Sequence, residues 1–233
     1  MTGTWINAAA ILLGAFIAII SRKDLNQVVE QRIKIVLAVF AMYVGVTLVW
    51  ESTHGGFLSH LKQLTLLLLA LIVGNGLGML FGIQKSLNRL AIFAKEQLSH
   101  PSRTQGFKLT SALICLTPFA VIGSTLEGLT GDFRVFVLKA AMDGIAAHSF
   151  YRLFGKPVIL SVIPLLAFQG NLTLVLQWIA SSSNHPNVIQ GIMGICGLLV
   201  FSSVVLIMNA GKPRLADYLP SLMVVIPLAH WFW

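Results

Sequence analysis

The sequence predicts an all-α fold: a polytopic transmembrane helix bundle of about eight spans, with scope for inverted repeats and broken helices. Three observations carry that reading. The chain of 233 residues is 56% hydrophobic and only 10% charged, with a mean hydropathy of +0.84. Apolar runs of helical length recur along it, and Lys and Arg gather in alternate gaps between them. Soluble domains hold about 25% charged residues, so the solvent for this surface is lipid. A bilayer core of about 30 Å takes roughly 20 residues per helix. The length then suits a single integral membrane domain over residues 1–233 and leaves no room for a second, soluble one.

Taken in order, the runs at 2–20, 33–50, 64–83, 109–126, 133–154, 158–180, 188–209 and 215–233 are the expected spans. The first lacks a cationic leader and an A-x-A cleavage signature, so it is expected to be a retained helix. The third carries Gly74, Gly78 and Gly82 at four-residue spacing, a ridge suited to tight helix packing and compatible with a homodimer. The fourth and fifth are the least regular. Cys115 and Cys196 lie in separate apolar runs and read as small buried hydrophobes.

Orientation follows from the basic residues. The odd connections hold Arg22, Lys23, Arg32, Lys34, Lys85, Arg89, Lys95, Arg103, Lys108, Arg152, Lys156, Lys212 and Arg214, which are 13 of the 16; the even ones hold only Lys62 and Arg134, and Lys139 is inside a span. The odd loops are therefore expected in the cytoplasm and both termini outside. This placement also explains the net charge of +8 without nucleic acid, since the charges are not clustered on one folded surface. Residues 84–98 put Leu87, Leu90, Ala91, Ala94 and Leu98 on one helical face, with Lys85, Arg89, Lys95 and Glu96 mostly elsewhere. That pattern predicts an amphipathic helix on the cytoplasmic leaflet. Residues 181–187 form a polar, uncharged outer turn.

Polar groups at membrane depth are costly unless paired or wetted, so they locate the candidate site. In 110–143, Pro118 removes a helical hydrogen bond and Gly123, Gly128 and Gly131 interrupt the pattern. The stretch 123–132 is too polar to face lipid as a regular helix. It reads either as a broken, re-entrant helix, tolerated where protein or water covers it, or as an ordinary outer loop with Asp132 as an N-cap. Ser124, Glu127, Thr130 and Asp132 are its candidate ligands. Lys139 and Asp143, spaced i, i+4 on the fifth span, form an intramembrane ion pair, with a structural salt bridge as the alternative. Gln169 and Asn171 in the sixth span and Asn75 in the third are neutral ligands or interhelical hydrogen-bonding groups. His148, about a turn beyond Asp143, reads as an inner-interface residue. His54 and His60 lack a third metal ligand, and no metal or cofactor is expected. No nucleophile elbow, zinc-protease or nucleotide-binding fingerprint is present, so the chain is not expected to be an enzyme.

The stretches at 110–115, 120–124, 128–132 (GLTGD), 139–146 (K-xxx-DG at its start) and 169–170 resemble the YdfK/YqgA-like bacterial membrane proteins, the domain of unknown function 554 family. Looser likeness runs from Gly3, Asn7 and Gly14 to Leu219 and Pro220. Phe168, Asn171, His148 and Arg152 depart from the usual pattern. The resemblance implies a bacterial inner-membrane location and a shared polar constellation, but no substrate.

These readings converge on a small secondary transporter or channel for an ion or small polar solute, with its site between the fourth, fifth and sixth helices. The rival is a non-transporting scaffold or partner subunit in which the same groups lock helices together. A lipid-directed intramembrane enzyme is a weaker third.

Overall fold

The computed structural model describes residues 1–21, 26–98, 103–182, 185–211 and 213–232. Arg22, Lys23, Lys212 and part of the outer turn, Ser183 and Asn184, lie outside the described residues. All regular structure among the described residues is helical: α1 (Thr2–Ile20), α2 (Gln27–Ser52), α3 (Phe57–Phe81), α4 (Ile83–Leu98), α5 (Arg103–Cys115), α6 (Pro118–Thr130), α7 (Arg134–Phe154), α8 (Val162–Ser182), α9 (Pro186–Ile207) and α10 (Ser221–Phe232). Two 3-10 turns, Lys156–Ser161 and Leu215–Tyr218, precede α8 and α10. In lipid a segment must satisfy its own backbone, and the helix does so locally. Leu13, Phe16, Ile72, Leu80 and Trp178 stand exposed on these helices, as lipid-facing side chains should.

Six helices are long and apolar enough to cross a membrane, or seven if α5 and α6 count as one bent span. Their axes turn by 52° at Leu116 and Thr117, where Pro118 opens α6 and suits a first helical turn. α7 has the length of a span, and its low hydropathy comes from polar side chains that the fold buries: Lys139, Asp143 and His148. It runs parallel to α1, since Gly3 lies under the Phe136 ring and Gly14 against the Gly144 backbone. Two helices of the same sense require an odd number of crossings between them. α2 and α3 are two candidates for these crossings, and the bent α5–α6 pair, counted as one span, is the candidate for the third. Counting the bent pair as one and adding α7, eight segments of span length lie among the described residues, of which six or seven are apolar enough to cross a membrane.

By its contacts the chain forms two compact units, Met1–Ile33 with Leu87–Ala180, and Lys34–Ser86 with Ser181–Trp233. The first is built on the α1–α7 seam. A side chain at Gly14 would overlap the Gly144 carbonyl, so the pair depends on close backbone approach. Ala8, Ile11, Ile114, Ala147 and Leu165 pack in the core beside it. In the second unit, Gly74 and Gly78 of α3 lie against Ser221 and Asp217, whereas Gly82 takes a left-handed conformation (φ 68°) that ends the helix. Two members of the predicted ridge are thus packed within the unit. α9 meets α2 where Gly197 lies against Gly45. Cys115 and Cys196 are free and buried.

The units do not separate the first three spans from the last three. Each instead contains a 3-10 turn followed by a helix bearing Val-Ile-Pro-Leu, at 162–165 and 225–228.

Candidate functional site

The first unit brings four helices together around polar side chains. Lys139 and Asp143 lie one turn apart on α7, 1% and 6% exposed, and form a direct ion pair. Lys139 Nζ also donates to the Ile114 carbonyl at 3.0 Å. That carbonyl belongs to the last turn of α5, just before the bend, so the ammonium caps a helix C-terminus and meets the negative end of its dipole.

Asp143 accepts a hydrogen bond from Asn7 Nδ2 on α1 at 3.0 Å, and the same nitrogen donates to Gln169 Oε1 on α8 at 3.2 Å. Each amide is oriented by the one before it. An acceptor at Asp143 requires the nitrogen of Asn7 to face it, and that nitrogen requires the oxygen of Gln169. Gln169 Nε2 and Asn7 Oδ1 are left buried without a partner among the described residues.

Glu127 on α6 sits at the outer edge of this network. Its Oε1 accepts the Gly3 N–H at 2.8 Å and lies 3.1 Å from the Met1 amino group. A carboxylate there meets the free amides of the first turn of α1. Its Oε2 is buried and has no hydrogen-bond partner among the described residues. Ser124, one turn earlier, donates to the Gln169 carbonyl at 3.3 Å. The stretch 123–130, expected to be too polar for a regular helix, is helical. Its polar groups face protein instead of lipid, and Gly123 and Gly128 are contact points, under Phe136 and beside Leu176 and Thr173. Only Gly131 leaves the helix, at φ 76°.

The structure brings Ser124, Glu127, Lys139, Asp143 and Gln169 into one network, and four other candidates do not join them. Thr130 is exposed and returns its hydroxyl to the Leu126 carbonyl at 2.7 Å. Asp132 pairs with Arg134 at 2.7 Å and accepts its backbone N–H at 2.9 Å; it closes the turn into α7, much as an N-cap would. Asn171 is exposed on α8, because two residues beyond Gln169 a helix has turned away. Asn75 is in the other unit, lining a cavity of about 470 Å³ with Leu68, Met79, Leu199 and Tyr218. His148 is buried and borders an apolar groove of about 290 Å³ between α1 and α7.

Sequence reasoning left out Thr4, Asn7 and Thr173 as ligands, all buried. A signal was present: Thr4 and Asn7 share a helical face of an otherwise apolar α1, and Thr173 lies one turn after Gln169. It also left out Asp217, fully buried in the second unit, which accepts the Gln84 N–H at 2.9 Å and pairs with Arg214 at 2.8 Å. Among the described residues, no three or more His, Cys, Asp or Glu side chains are grouped to hold a metal ion.

No solved structure matches the chain. It is similar to the uncharacterized membrane protein YdfK of Bacillus subtilis (strain 168), with 24% identity over 235 aligned positions that cover 100% of this chain and 98% of the relative. It is also similar to the uncharacterized protein YqgA of Escherichia coli (strain K12), at 24% identity over 240 positions, covering 98% and 97%. The family described as protein of unknown function (DUF554) matches residues 2–230. The buried polar network described above thus sits in a chain that, along nearly its whole length, belongs to the DUF554 family of membrane proteins.

Proposed function

We propose that this protein is a small secondary transporter or channel of the bacterial inner membrane, with both termini outside, moving an ion or a small polar solute through the first unit. The observation that carries the proposal is the set of buried atoms left without partners around an ion pair: Gln169 Nε2, Asn7 Oδ1 and Glu127 Oε2. Each such atom costs about 1–3 kcal/mol, which a passing ligand or its hydration water can offset.

Asp143 orients Asn7, and Asn7 orients Gln169 so that an N–H faces a solute. Lys139 joins that network to the end of α5, so a change of charge at Asp143 is felt at the 52° bend. Broken helices are where many transporters bind and bend. The scaffold reading draws on the same bonds, which tie α1, α7 and α8 together.

Current measurements on proteoliposomes adsorbed to a solid-supported membrane separate the two. Jumps in Na⁺, K⁺ or proton concentration, and of a panel of amino acids, carboxylates and inorganic anions, should evoke transient currents in wild type. Asp143→Asn and Lys139→Met should abolish them. A silent wild type across the panel, or currents unchanged in both variants, refutes the proposal.

A further inference from the structure

We propose that the outer layer of this site, made of Glu127, Thr4, Thr173 and Asn7, binds a monovalent alkali cation through oxygen atoms alone. The inference rests on the transport reading for its purpose, and it names the class of ion that the same site takes.

Of the eight buried side-chain oxygens without a hydrogen-bond partner among the described residues, four belong to this layer: Thr4 Oγ1, Asn7 Oδ1, Glu127 Oε2 and Thr173 Oγ1; the others are on Thr110, Ser111, Thr117 and Asp217. The four residues of this layer are 0%, 0%, 6% and 1% exposed. Helix register brings them together. α1 and α8 run antiparallel, with Leu165 in the cluster that holds Ala8 and Ile11, and Gln169 bonded to Asn7. One more turn outward on each helix places Thr173 opposite Thr4. α6 closes the third side, since Glu127 holds the Gly3 N–H, next to Thr4, and Gly128 lies against the Thr173 backbone.

The donor set selects the ion. Hydroxyl, amide and carboxylate oxygens suit hard cations, and transition metals prefer imidazole and thiolate. The charge selects its valence. Lys139 neutralises Asp143, which leaves one carboxylate, Glu127, and one carboxylate balances a single positive charge. The Met1 amino group lies 3.1 Å from that carboxylate on its Oε1 side and leaves Oε2 open, so a cation entering at Oε2 would compete with Met1 for the charge. The free Gln169 N–H, adjoining this layer, would repel a cation and suits instead an acceptor group on a solute moving with it.

The test is thermal unfolding of the purified full-length protein in detergent, followed by tryptophan fluorescence, in NaCl, KCl or LiCl against choline chloride at equal ionic strength. Wild type should gain stability as alkali cation replaces choline, saturably, because an ion that binds only the folded state raises Tm. Thr173→Val and Thr4→Val keep the side-chain shape and remove an unpartnered hydroxyl. Each should unfold in choline at or above the wild-type temperature and bind the cation about tenfold more weakly, the equivalent of one lost ligand of about 1.4 kcal/mol. Glu127→Gln should abolish the response. A wild type insensitive to all three cations overturns the proposal, as does an undiminished response in both valine variants or in Glu127→Gln. A cation response without any current on proteoliposomes would leave the site standing and refute transport. Currents without a cation response would do the reverse.

Discussion

The Lys139–Asp143 pair offers a perturbation whose size follows from burial. Both side chains are almost wholly withdrawn from solvent, and each has one other partner: the Ile114 carbonyl for Lys139 and the Asn7 amide for Asp143. Lys139→Met leaves a carboxylate in an apolar interior with one neutral donor. Asp143→Leu leaves an ammonium with one carbonyl. Removing one member of a buried pair costs about 3–5 kcal/mol, whereas replacing both with apolar residues of similar volume is often neutral or stabilising. Asn7 retains Gln169 as an acceptor in the double variant, so its loss there is limited to about 1 kcal/mol. Each single variant should therefore lose about 3–5 kcal/mol, while Lys139→Met/Asp143→Leu should stay within about 2 kcal/mol of wild type. Reversible unfolding in mixed dodecylmaltoside–SDS micelles, read by tryptophan fluorescence, measures all three against wild type. Additive losses, with the double variant the least stable, would show that the two charges are not coupled and would refute the packing described for them. The stable double variant then serves function directly: folded yet silent on proteoliposomes, it would assign the pair to transport and not to scaffolding.

Four further outcomes follow from particular contacts. Gly76 has open space where a Cβ would go and Gly78 has the Asp217 backbone, so Gly76→Ala should gain up to about 1 kcal/mol from helix propensity, and Gly78→Ala should lose about 1–3 kcal/mol through overpacking; equal effects on SDS midpoints would contradict the contact between α3 and the 3-10 turn before α10. Gly131→Ala meets no neighbour, but at φ 76° it should cost about 1–2 kcal/mol of backbone strain alone, measured in the same titration. Asp217→Ala removes the acceptor of the Gln84 N–H and should cost about 1.5–3 kcal/mol, with Asp217→Asn milder because it keeps that acceptor. For topology, Ser59→Cys in a chain lacking Cys115 and Cys196 should react with a membrane-impermeant maleimide on intact cells, and Ser86→Cys only after permeabilisation; the opposite pattern would invert the proposed orientation.

Hydropathy and charge alternation made the spans legible because both report on a helix's whole environment, averaged over about 20 residues. They are weaker where a helix's polar face is turned to protein: 133–154 still reads as the fifth span, but as one of the least regular. α7 reads as a poor span because Lys139, Asp143, His148 and Arg152 weigh against it, yet three of those four are buried. The same weakness made 123–130 look like broken backbone. Pro118 was correctly read as a disruption, but its effect is a bend in one span at residues 116–117, and the glycines after it serve packing. In the site, the ionisable residues were visible because charge in an apolar run has few innocent explanations. Thr4 and Thr173 were not, since a threonine in such a run ordinarily bonds the carbonyl a turn back, as Thr125 and Thr130 do here. Nothing in a linear sequence distinguishes a hydroxyl satisfied in that way from one left open by its rotamer. The Val-Ile-Pro-Leu recurrence of spans six and eight is legible in the sequence, but nothing in four residues says that each follows a 3-10 turn.

The unpartnered hydroxyls bear most directly on whether the polar groups exist for folding. A network whose purpose is to hold helices together gains from every bond it completes and loses about 1–3 kcal/mol for each buried atom left without one. Lys139, Asp143 and Ser124 fit such a purpose, since each has its bonds made. Thr4, Thr173 and the free ends of Asn7, Gln169 and Glu127 do not, and they are carried by three helices of the first unit, α1, α6 and α8. Valine would fill the threonine positions with the same shape and no penalty. If the scaffold reading were right, Thr173→Val and Thr4→Val would change stability in the same way in every salt, because nothing but the helices would notice the hydroxyl. If the open atoms wait for an ion, the sign of the change depends on the salt: neutral or favourable in choline, unfavourable in alkali chloride. A reversal of sign between two buffers of equal ionic strength is an outcome that packing alone has no means to produce.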